Sequence, residues 1–173
     1  RRFALQGLTL RVQPGETFGL LGPNGAGKTT AFSLIFGFTH ADSGSVRVLG
    51  SSPHSLEWKN HAAYLPEQPF LHEFLTPLES LENAGRLLGL PGDVAARRAR
   101  HWLERMDIQS SARRVVRYLS KGMRQRLAVA LCLVGEPRLL VLDEPMSGLD
   151  PIGRALLRDL VPELRTGGRT ILF

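Results

Sequence analysis

The stretch with the most specific chemistry is a glycine-rich loop that ends in a lysine and a threonine. It fits the phosphate-binding pattern G-x-x-x-x-G-K-[ST] with an unbroken run of residues: Gly22, Pro23, Asn24, Gly25, Ala26, Gly27, Lys28 and Thr29. The glycines let the backbone curl so that successive N–H groups point inward, and the N-terminus of a following helix adds positive potential. We expect Lys28 to contact the outer phosphates of a nucleoside triphosphate and the Thr29 hydroxyl to ligate Mg²⁺. Thr30, the next residue, is included in the predicted site.

The segments on both sides of this loop support the prediction. Residues 16–21 read as a strand, and residues 29–36 read as an amphipathic helix. The alternative is a glycine-rich turn that binds nothing, and such a turn would need neither a strand before it nor a helix after it. The loop therefore predicts triphosphate binding, although it does not say what the bound nucleotide is used for.

A pair of acidic residues follows a second apolar segment. Residues 139–142 form a continuous run of Leu and Val, as expected for a central parallel strand that is buried on both faces. The run ends in Asp143 and Glu144, and an acid in this place lies beside the phosphate loop in doubly wound folds. We expect Asp143 to hold Mg²⁺, commonly through a water, and Glu144 to polarise an attacking water. The alternative is a surface turn with two adjacent carboxylates, which the apolar run before them disfavours.

Composition limits the kind of protein. The chain has 173 residues, of which 43% are hydrophobic and 22% are charged, and this is typical of one globular domain with a sizeable core. No apolar run reaches the roughly 20 residues that span a bilayer, and no secretory signal pattern is present. The single Cys132 excludes an internal disulfide and fits a reducing cytosol. Because the chain lacks an initiator Met and stops within an apolar run, we expect a piece of a longer protein, truncated at both ends.

The net charge of +6 is concentrated in one region. Between residues 93 and 126 the chain carries ten basic and three acidic side chains. Such a cluster can indicate nucleic-acid binding, or a face near anionic lipids or an acidic partner. We favour a solvated helix face for most of these residues, because no aromatic side chains are interleaved for base stacking.

The order of elements predicts an α/β fold with a parallel or mixed sheet and helices on both sides. Residues 3–12 alternate loosely before the turn at Pro14-Gly15, which suggests a small antiparallel β subdomain at the start. Two further short strands are predicted at residues 46–49 and 62–65.

In the second half of the chain the pattern becomes helical before the α/β core resumes. A helical subdomain is predicted as an insertion into the α/β core at about residues 74–120. The core resumes with a helix over residues 121–134. The last helix begins after Asp150 and is expected to end or kink near Pro162, before a strand over residues 170–173.

Several motifs together resemble the ATP-binding cassette (ABC) ATPase family. They cover nearly the whole chain in the family's order: the phosphate loop (Walker A), the lone Gln68, the signature Leu119-Ser120-Lys121-Gly122-Met123, the run Leu142-Asp143-Glu144-Pro145, and the D-loop Ser147-Gly148-Leu149-Asp150. The resemblance implies one nucleotide-binding domain over residues 1–173, with a P-loop NTPase core, an antiparallel β subdomain and a helical subdomain. It also implies ATP and Mg²⁺ as ligands and ATP hydrolysis as the activity.

The resemblance also implies roles for individual residues. Gln68 looks like the Q-loop glutamine, which touches Mg²⁺ and the attacking water, and Glu144 looks like the general base. Ser120 and Gly122 look like the signature contacts to the γ-phosphate of an ATP held by a second copy. Asp150 looks like the D-loop residue whose contacts cross the seam of that dimer.

Three features depart from the family pattern. Lys121 and Met123 replace a glycine and a glutamine of the signature, and Met146 replaces a threonine or serine. A lysine at this place either adds charge near the γ-phosphate or points to solvent. The switch histidine that would follow residues 170–173 is not in the chain, so we expect the fragment alone to hydrolyse ATP weakly.

The leading interpretation is the nucleotide-binding subunit of an ABC transporter. Residues 75–81 resemble the segment that faces the membrane partner, and S-G-L-D-P with the S-K-G-M signature resembles ABC-2 exporters, which move drugs, lipids or polysaccharides. The implied partners are a second nucleotide-binding domain, the same or different, and a transmembrane permease. The implied location is cytoplasmic, on the inner face of the cell membrane, and no nucleic-acid partner is expected.

A soluble ABC ATPase that acts on DNA or the ribosome is the alternative. DNA-acting members insert long coiled coils between the phosphate loop and the signature, whereas fewer than about a hundred residues without heptads join Lys28 to Ser120. Ribosome-acting members usually carry two cassettes and N-H-L-D in place of S-G-L-D. A P-loop kinase or GTPase has no use for the signature, and the chain has no guanine-reading N-K-x-D.

Overall fold

The computed structural model describes residues 4–173 and has the α/β fold that the sequence predicts. The strands are β1, Thr17–Phe18; β2, Ala62–Leu65; β3, Leu139–Leu142; and β4, Thr170–Leu172. The α-helices are α1, Lys28–Ile35; α2, Pro77–Leu87; α3, Gly92–Arg105; α4, Lys121–Leu133; and α5, Pro151–Thr166. Short 3₁₀ turns lie at Lys59–His61, Gln109–Ser111 and Val116–Tyr118. No helix within the described residues has both the length and the apolar character that crossing a bilayer requires.

The sheet has the strand order β1-β4-β3-β2, and every pairing between these strands is parallel. β3 lies between β4 and β2 and is buried along its whole length, which explains its continuous apolar sequence. The pairing of β1 with β4 extends past the strand ends, since the Leu20 N–H donates to the Phe173 oxygen at 2.6 Å. Because the strands are parallel, their carboxyl ends meet along one edge, and the segments after β1, β2 and β3 meet there too.

The core lies on both faces of this sheet, because successive residues of β3 face opposite sides. Leu140 and Leu142 pack into a cluster with Leu127 of α4 and with residues of α2, α3 and α5. Leu139 and Val141 pack into a second cluster that includes the aromatic residues of α1 and its C-terminus. The sheet is therefore covered by helices on both sides.

The predicted antiparallel β subdomain is not formed by the described residues. Residues 4–16 contain no strand, and Phe3 lies outside the described part of the chain. In place of the strand predicted at residues 46–49, a single antiparallel bridge joins Val48 and Ser51. Most side chains of the first segment are exposed, so little burial is available to hold a two-stranded ribbon, which is only marginally stable alone. The alternating sequence predicts strands here, but no neighbouring strand among the described residues pairs with them.

Helices α2 and α3 form a close pair. The Thr76 hydroxyl accepts from the Glu79 N–H at 3.2 Å, while the Glu79 carboxylate accepts from the Thr76 N–H at 2.8 Å, and this reciprocal cap fixes the start of α2. The Glu79 carboxylate accepts from the Thr76 N–H and also from the Thr76 hydroxyl, and these two hydrogen bonds hold the pKa of Glu79 below its usual value. A Cβ at Gly85 of α2 would lie 3.0 Å from the Ala95 Cβ of α3, so the glycine allows the two helices to approach each other closely.

Helix α5 runs through Pro162 to Thr166, so it does not end at the proline, and the alternative expectation of a kink there stays a prediction. Leu157, Leu160 and Leu164 are buried on the face of α5 that meets the core. This packing keeps the helix intact, although Pro162 has no N–H to donate to the preceding turn. The proline itself is exposed.

Replacement of Pro162 by alanine should stabilise the protein. Alanine restores the missing backbone hydrogen bond, and the exposed position loses no buried surface. We expect the free energy of unfolding in urea to rise by about 1–3 kcal/mol. Pro151→Ala is the control, because proline is well tolerated at the first helical position and its removal there should bring no such gain. A lower stability of Pro162→Ala would contradict this explanation.

Candidate functional site

The phosphate-binding pattern forms the loop between β1 and α1. Gly25 and Gly27 have φ values of 84° and 93°, a region that residues with side chains rarely adopt. A Cβ at Gly27 would also lie 2.5 Å from the Ala4 oxygen and 2.6 Å from Leu5 Cδ2. Within residues 4–173, no side chain caps the N-terminus of α1. The first N–H groups of this helix are therefore positioned to bind an anion.

Lys28 crosses this loop and reaches the acidic residues after β3. Its Nζ donates to the Gly22 oxygen at 2.8 Å and lies 3.3 Å from Glu144 Oε1. The Lys28 side chain is 17% exposed, whereas that of Glu144 is 45% exposed. A phosphate group in the loop would offer Lys28 a second anionic partner and would compete with Glu144 for it.

Asp143 is only 2% exposed and connects three elements. Its Oδ2 accepts from the Thr29 hydroxyl at 2.7 Å and from the Tyr64 hydroxyl at 3.3 Å. Its N–H donates to the Leu65 oxygen at 2.8 Å. Since Thr29 belongs to α1 and Tyr64 to β2, this carboxylate fixes the phosphate loop against the ends of β2 and β3.

The donors at Asp143 fit a hard divalent cation. Thr29 gives its one hydroxyl proton to Asp143, which leaves the lone pairs of the hydroxyl oxygen for a metal. In the described part of the chain, no three His, Cys, Asp or Glu side chains form a metal site by themselves. Mg²⁺ suits such an arrangement, because it is usually bound by one or two carboxylates together with substrate phosphates and waters.

Tyr64 also belongs to this cluster, although it was not among the site residues predicted from the sequence. Burial, the charge of Asp143 and the hydrogen bond between the two groups raise the pKa of the phenol to about 12. The phenol is therefore a neutral donor at physiological pH. The available signal was a tyrosine near the end of a predicted strand, but the pairing of Tyr64 with Val141 cannot be read from sequence.

Glu144 follows Asp143 in an uncommon backbone conformation. Its φ is 51°, in the left-handed region that few residues with a side chain adopt. A hydrogen bond from the Ser147 N–H to the Glu144 oxygen, at 2.8 Å, closes the turn. With Gly22 and Lys28, both acids line a cleft of about 170 Å³. Such backbone strain clusters at functional sites, and here it turns a carboxylate toward the phosphate loop.

Gln68 is not brought into this cluster. It is exposed in the loop after β2. The hydrogen bonds to Asp143 within residues 4–173 come from Thr29, Tyr64 and no other side chain. The role of Gln68 toward Mg²⁺ and water therefore stays a prediction.

Ser120 and Gly122 lie at the start of α4. Ser120 is the N-cap residue, and its Oγ accepts from the Met123 N–H at 3.2 Å. A Cβ at Gly122 would lie 2.7 Å from Asp150 Oδ2 and 3.0 Å from Asp150 Cβ. Packing within the chain therefore requires a glycine at position 122, apart from any role toward a nucleotide.

A buried arginine joins the D-loop to the helical region. Arg126 Nη2 donates to Asp150 Oδ2 at 3.3 Å, and Nη1 donates to the backbone oxygens of Met106 and Asp107 at 3.0 and 2.9 Å. The other Asp150 oxygen accepts from the Gly153 N–H at 2.8 Å, as the N-cap of α5. The end of α3, the start of α5 and helix α4 itself are thus tied to one guanidinium.

Arg126 is one of the ten basic residues for most of which a solvated face was predicted, although its spacing in the sequence indicates burial. Gly122, Arg126, Val129 and Leu133 recur at helical spacing and are all buried on one face of α4. An arginine within such a face must find acceptors inside the protein. Its acceptors lie directly after α3 and in the D-loop, and sequence spacing does not reveal either contact.

Much of the remaining basic region is engaged within the chain. Four arginines pair with acids: Arg97 with Asp93, Arg98 with Glu136, Arg105 with Glu163 and Arg124 with Glu73. Lys121 is exposed, and its Cε lies 3.0 Å from the place of a Cβ on Gly148 in the D-loop. These contacts favour a partly paired, solvated face over a site for nucleic acid.

The order of these motifs matches a known family. The family model described as ABC transporter matches residues 5–147, which include the phosphate loop, the signature and the acidic pair. The chain belongs to the ABC transporter family. The resemblance of its motifs to ABC ATPases is confirmed by this match.

Individual members of the ABC family are also similar. An ABC transporter ATP-binding protein of Nostoc sp. is 42% identical over 172 residues, which are 98% of this chain and 51% of that protein. The Nod factor export ATP-binding protein I of Ralstonia nicotianae is 39% identical over 171 residues, which are 98% of this chain and 53% of that protein. This ABC chain spans about half the length of the curated relatives it matches. A solved structure of the ATP binding subunit of an ABC transporter is also similar, with 31% sequence identity and a TM-score of 0.88. The match covers 98% of this chain and 72% of that chain.

Gly122→Ala should destabilise the protein, because the new methyl group would overlap the Asp150 carboxylate, which Arg126 and the cap of α5 hold in place. We expect the free energy of unfolding in urea to fall by about 1–3 kcal/mol, the usual cost of overpacking. Gly92→Ala is the matched control. Gly92 also lies in the first turn of a helix, but a Cβ there meets nothing within 4 Å, so this change should be neutral or slightly stabilising.

A double-mutant cycle checks that the overlap is the cause. In the background of Asp150→Ala, the carboxylate is gone, and Gly122→Ala should cost less than it does in the parent protein. An equal loss in both backgrounds would contradict the explanation.

Proposed function

We propose that this chain is the ATP-binding and ATP-hydrolysing subunit of an ABC transporter that drives export through a separate membrane partner. The observation that carries the proposal is the cluster in which Lys28 and Thr29 meet Glu144 and Asp143. Family membership and the export proteins among the relatives support it. In this proposal the whole chain is one nucleotide-binding domain, and residues 74–120 are its helical subdomain.

Each residue of the cluster has a distinct task in the proposed reaction. Lys28 and the backbone N–H groups of the phosphate loop bind the outer phosphates of ATP. Thr29 and Asp143 hold Mg²⁺, which when bound neutralises charge on the phosphate oxygens. Glu144 is released from Lys28 and accepts a proton from the water that attacks the γ-phosphorus. As the new bond forms, the bond between the γ-phosphorus and the bridging oxygen breaks, and its electron pair leaves with ADP. Gln68 orients that water from the loop after β2.

A second nucleotide-binding domain, identical or different, is proposed to complete the site. Ser120 and Gly122 belong to the N-terminus of α4, where N–H groups and the helix dipole favour an anion such as the γ-phosphate of the partner's ATP. Asp150 lies at the neighbouring N-terminus of α5. Because Gly122 packs directly on Asp150, the signature and the D-loop would meet the partner as one surface.

An exposed aromatic surface is proposed to face the membrane permease. Phe70 and Phe74, in the loop before α2, are 85% and 80% exposed. The Arg117 guanidinium lies 5.8 Å from the centroid of the Phe74 ring. Aromatic and arginine side chains are enriched in protein interfaces. The resemblance pointed to residues 75–81, of which only Glu79 is exposed, so we extend the proposed contact to the aromatic residues before this segment.

This surface is joined by the backbone to the segment before the signature. The Arg117 N–H donates to the Glu73 oxygen at 3.0 Å, and the Val116 N–H donates to the Leu75 oxygen at 2.8 Å. Ser120 follows three residues later. A partner bound to the aromatic surface would therefore act on the signature through these two hydrogen bonds.

A soluble ABC ATPase that acts on DNA or the ribosome is the second candidate, and no contact of the described residues favours it. Much of the basic region that would support it is paired with acids or buried. In the proposal, the protein belongs to the ABC-2 export class, works in the cytoplasm at the inner face of the cell membrane, and has no nucleic-acid partner.

Lys28→Ala should remove most ATP binding, because the outer phosphates lose their main cationic partner. We expect the Kd for a fluorescent ATP analogue, measured by equilibrium titration, to rise by about 10–100-fold, as for the loss of a hydrogen bond to a charged group. Lys59→Ala, in the 3₁₀ turn before β2, is the control and should keep the parental Kd. Unchanged affinity in Lys28→Ala would exclude the proposed role of this lysine.

Glu144→Gln should keep ATP binding and slow hydrolysis by on the order of 10²–10⁴-fold, because the amide cannot accept the proton of the attacking water. Phosphate release by the full-length protein measures the rate, and size-exclusion chromatography should detect a trapped ATP-bound dimer. Glu136→Gln is the control, since Glu136 has a similar φ of 53° but lies outside the cluster. A Glu144→Gln protein that turns over at the parental rate would place the base elsewhere.

A further inference from the structure

Two hydroxyl groups meet on one oxygen of the Asp143 carboxylate. Thr29 and Tyr64 both donate to Oδ2, at 2.7 and 3.3 Å. Within residues 4–173, no side-chain hydrogen bond reaches Oδ1. Because Asp143 is almost completely buried, two donors on one oxygen restrict the orientation of the carboxylate and leave its second oxygen for another partner.

The ring of Tyr64 is itself held in place. Its centroid lies 5.2 Å from that of Phe36, 6.0 Å from that of Phe38 and 6.5 Å from that of Phe32. Its backbone is fixed in β2 opposite Val141. A phenol that is anchored by a strand and by three aromatic rings presents its O–H to the carboxylate from a constant position.

We propose that Tyr64 is a positioning residue that orients the Asp143 carboxylate toward the Mg²⁺ of bound MgATP. This rests on the proposed function, because it assigns Tyr64 a task in the same nucleotide site. In that site Thr29 contacts both the carboxylate and the metal, whereas Tyr64 contacts the carboxylate only. Deleting the phenol hydroxyl therefore weakens the Mg²⁺-dependent part of ATP binding and leaves the phosphate contacts of Lys28 in place.

The experiment compares ATP binding with and without Mg²⁺ in the full-length parent protein and in Tyr64→Phe. Phenylalanine keeps the ring among its aromatic neighbours and removes only the hydroxyl. A fluorescent ATP analogue is titrated in EDTA and at increasing free Mg²⁺. The Mg²⁺ concentration that gives half of the gain in affinity should rise by about tenfold in Tyr64→Phe, the lower end of the effect of removing an outer partner of a metal ligand. Its affinity in EDTA should equal that of the parent.

Two variants separate positioning from packing. Phe36→Leu loosens one of the three rings around Tyr64 but keeps the phenol hydroxyl, so it should shift the Mg²⁺ midpoint less than Tyr64→Phe does, even where it lowers the melting temperature. Asp143→Asn weakens the metal ligand itself and should shift the midpoint at least as far as Tyr64→Phe does.

The outcomes distinguish the two proposals. A parental midpoint in Tyr64→Phe, together with a shifted midpoint in Asp143→Asn, would overturn the role of Tyr64 and leave the proposed function standing. Equal shifts in Tyr64→Phe and Phe36→Leu would also overturn it, because they would reflect packing alone. A parent protein that binds the ATP analogue no better with Mg²⁺ would contradict the proposed function, and the role of Tyr64 with it.

Discussion

The buried carboxylate of Asp143 constrains the whole carboxyl edge of the sheet, because a charge that is only 2% exposed must be met by donors inside the protein. Thr29 supplies one donor from α1, and Tyr64 supplies another from β2. The phosphate loop, β2 and the acidic end of β3 are therefore fixed relative to one another by a single side chain. The parallel sheet makes this meeting possible, since it brings the ends of these strands to one edge.

A second buried charge organises the contacts between α3, α4 and the start of α5. Arg126 needs acceptors for the same physical reason that Asp143 needs donors, and it finds them at the end of α3 and on Asp150. Gly122 then fits against Asp150 only because it has no side chain. Residues 144–149 connect Asp143 to Asp150, the acidic partner of Arg126, so only a short segment separates the two clusters.

Local sequence patterns fail here where the stabilising contact is not local. Alternation in the first residues predicts an antiparallel pair, but no partner strand among the described residues holds it, and the segment stays largely exposed. Pro162 predicts an end or a kink of the helix, but α5 continues to Thr166, because the buried Leu160 and Leu164 keep it docked on the core across the proline. In both cases packing, and not the local preference, decides the outcome.

The sequence by itself determined the family, the α/β fold and the residues of the phosphate loop, because their chemistry depends on neighbours in the chain. Gly25, Gly27 and Lys28 work at fixed spacing, and the apolar run of β3 marks burial on both faces. Only the tertiary structure decided the partners of the two buried charges. Tyr64 is 79 positions from Asp143 and Arg126 is 24 positions from Asp150. Such contacts depend on strand register and helix docking, which the packed core sets and no local pattern encodes.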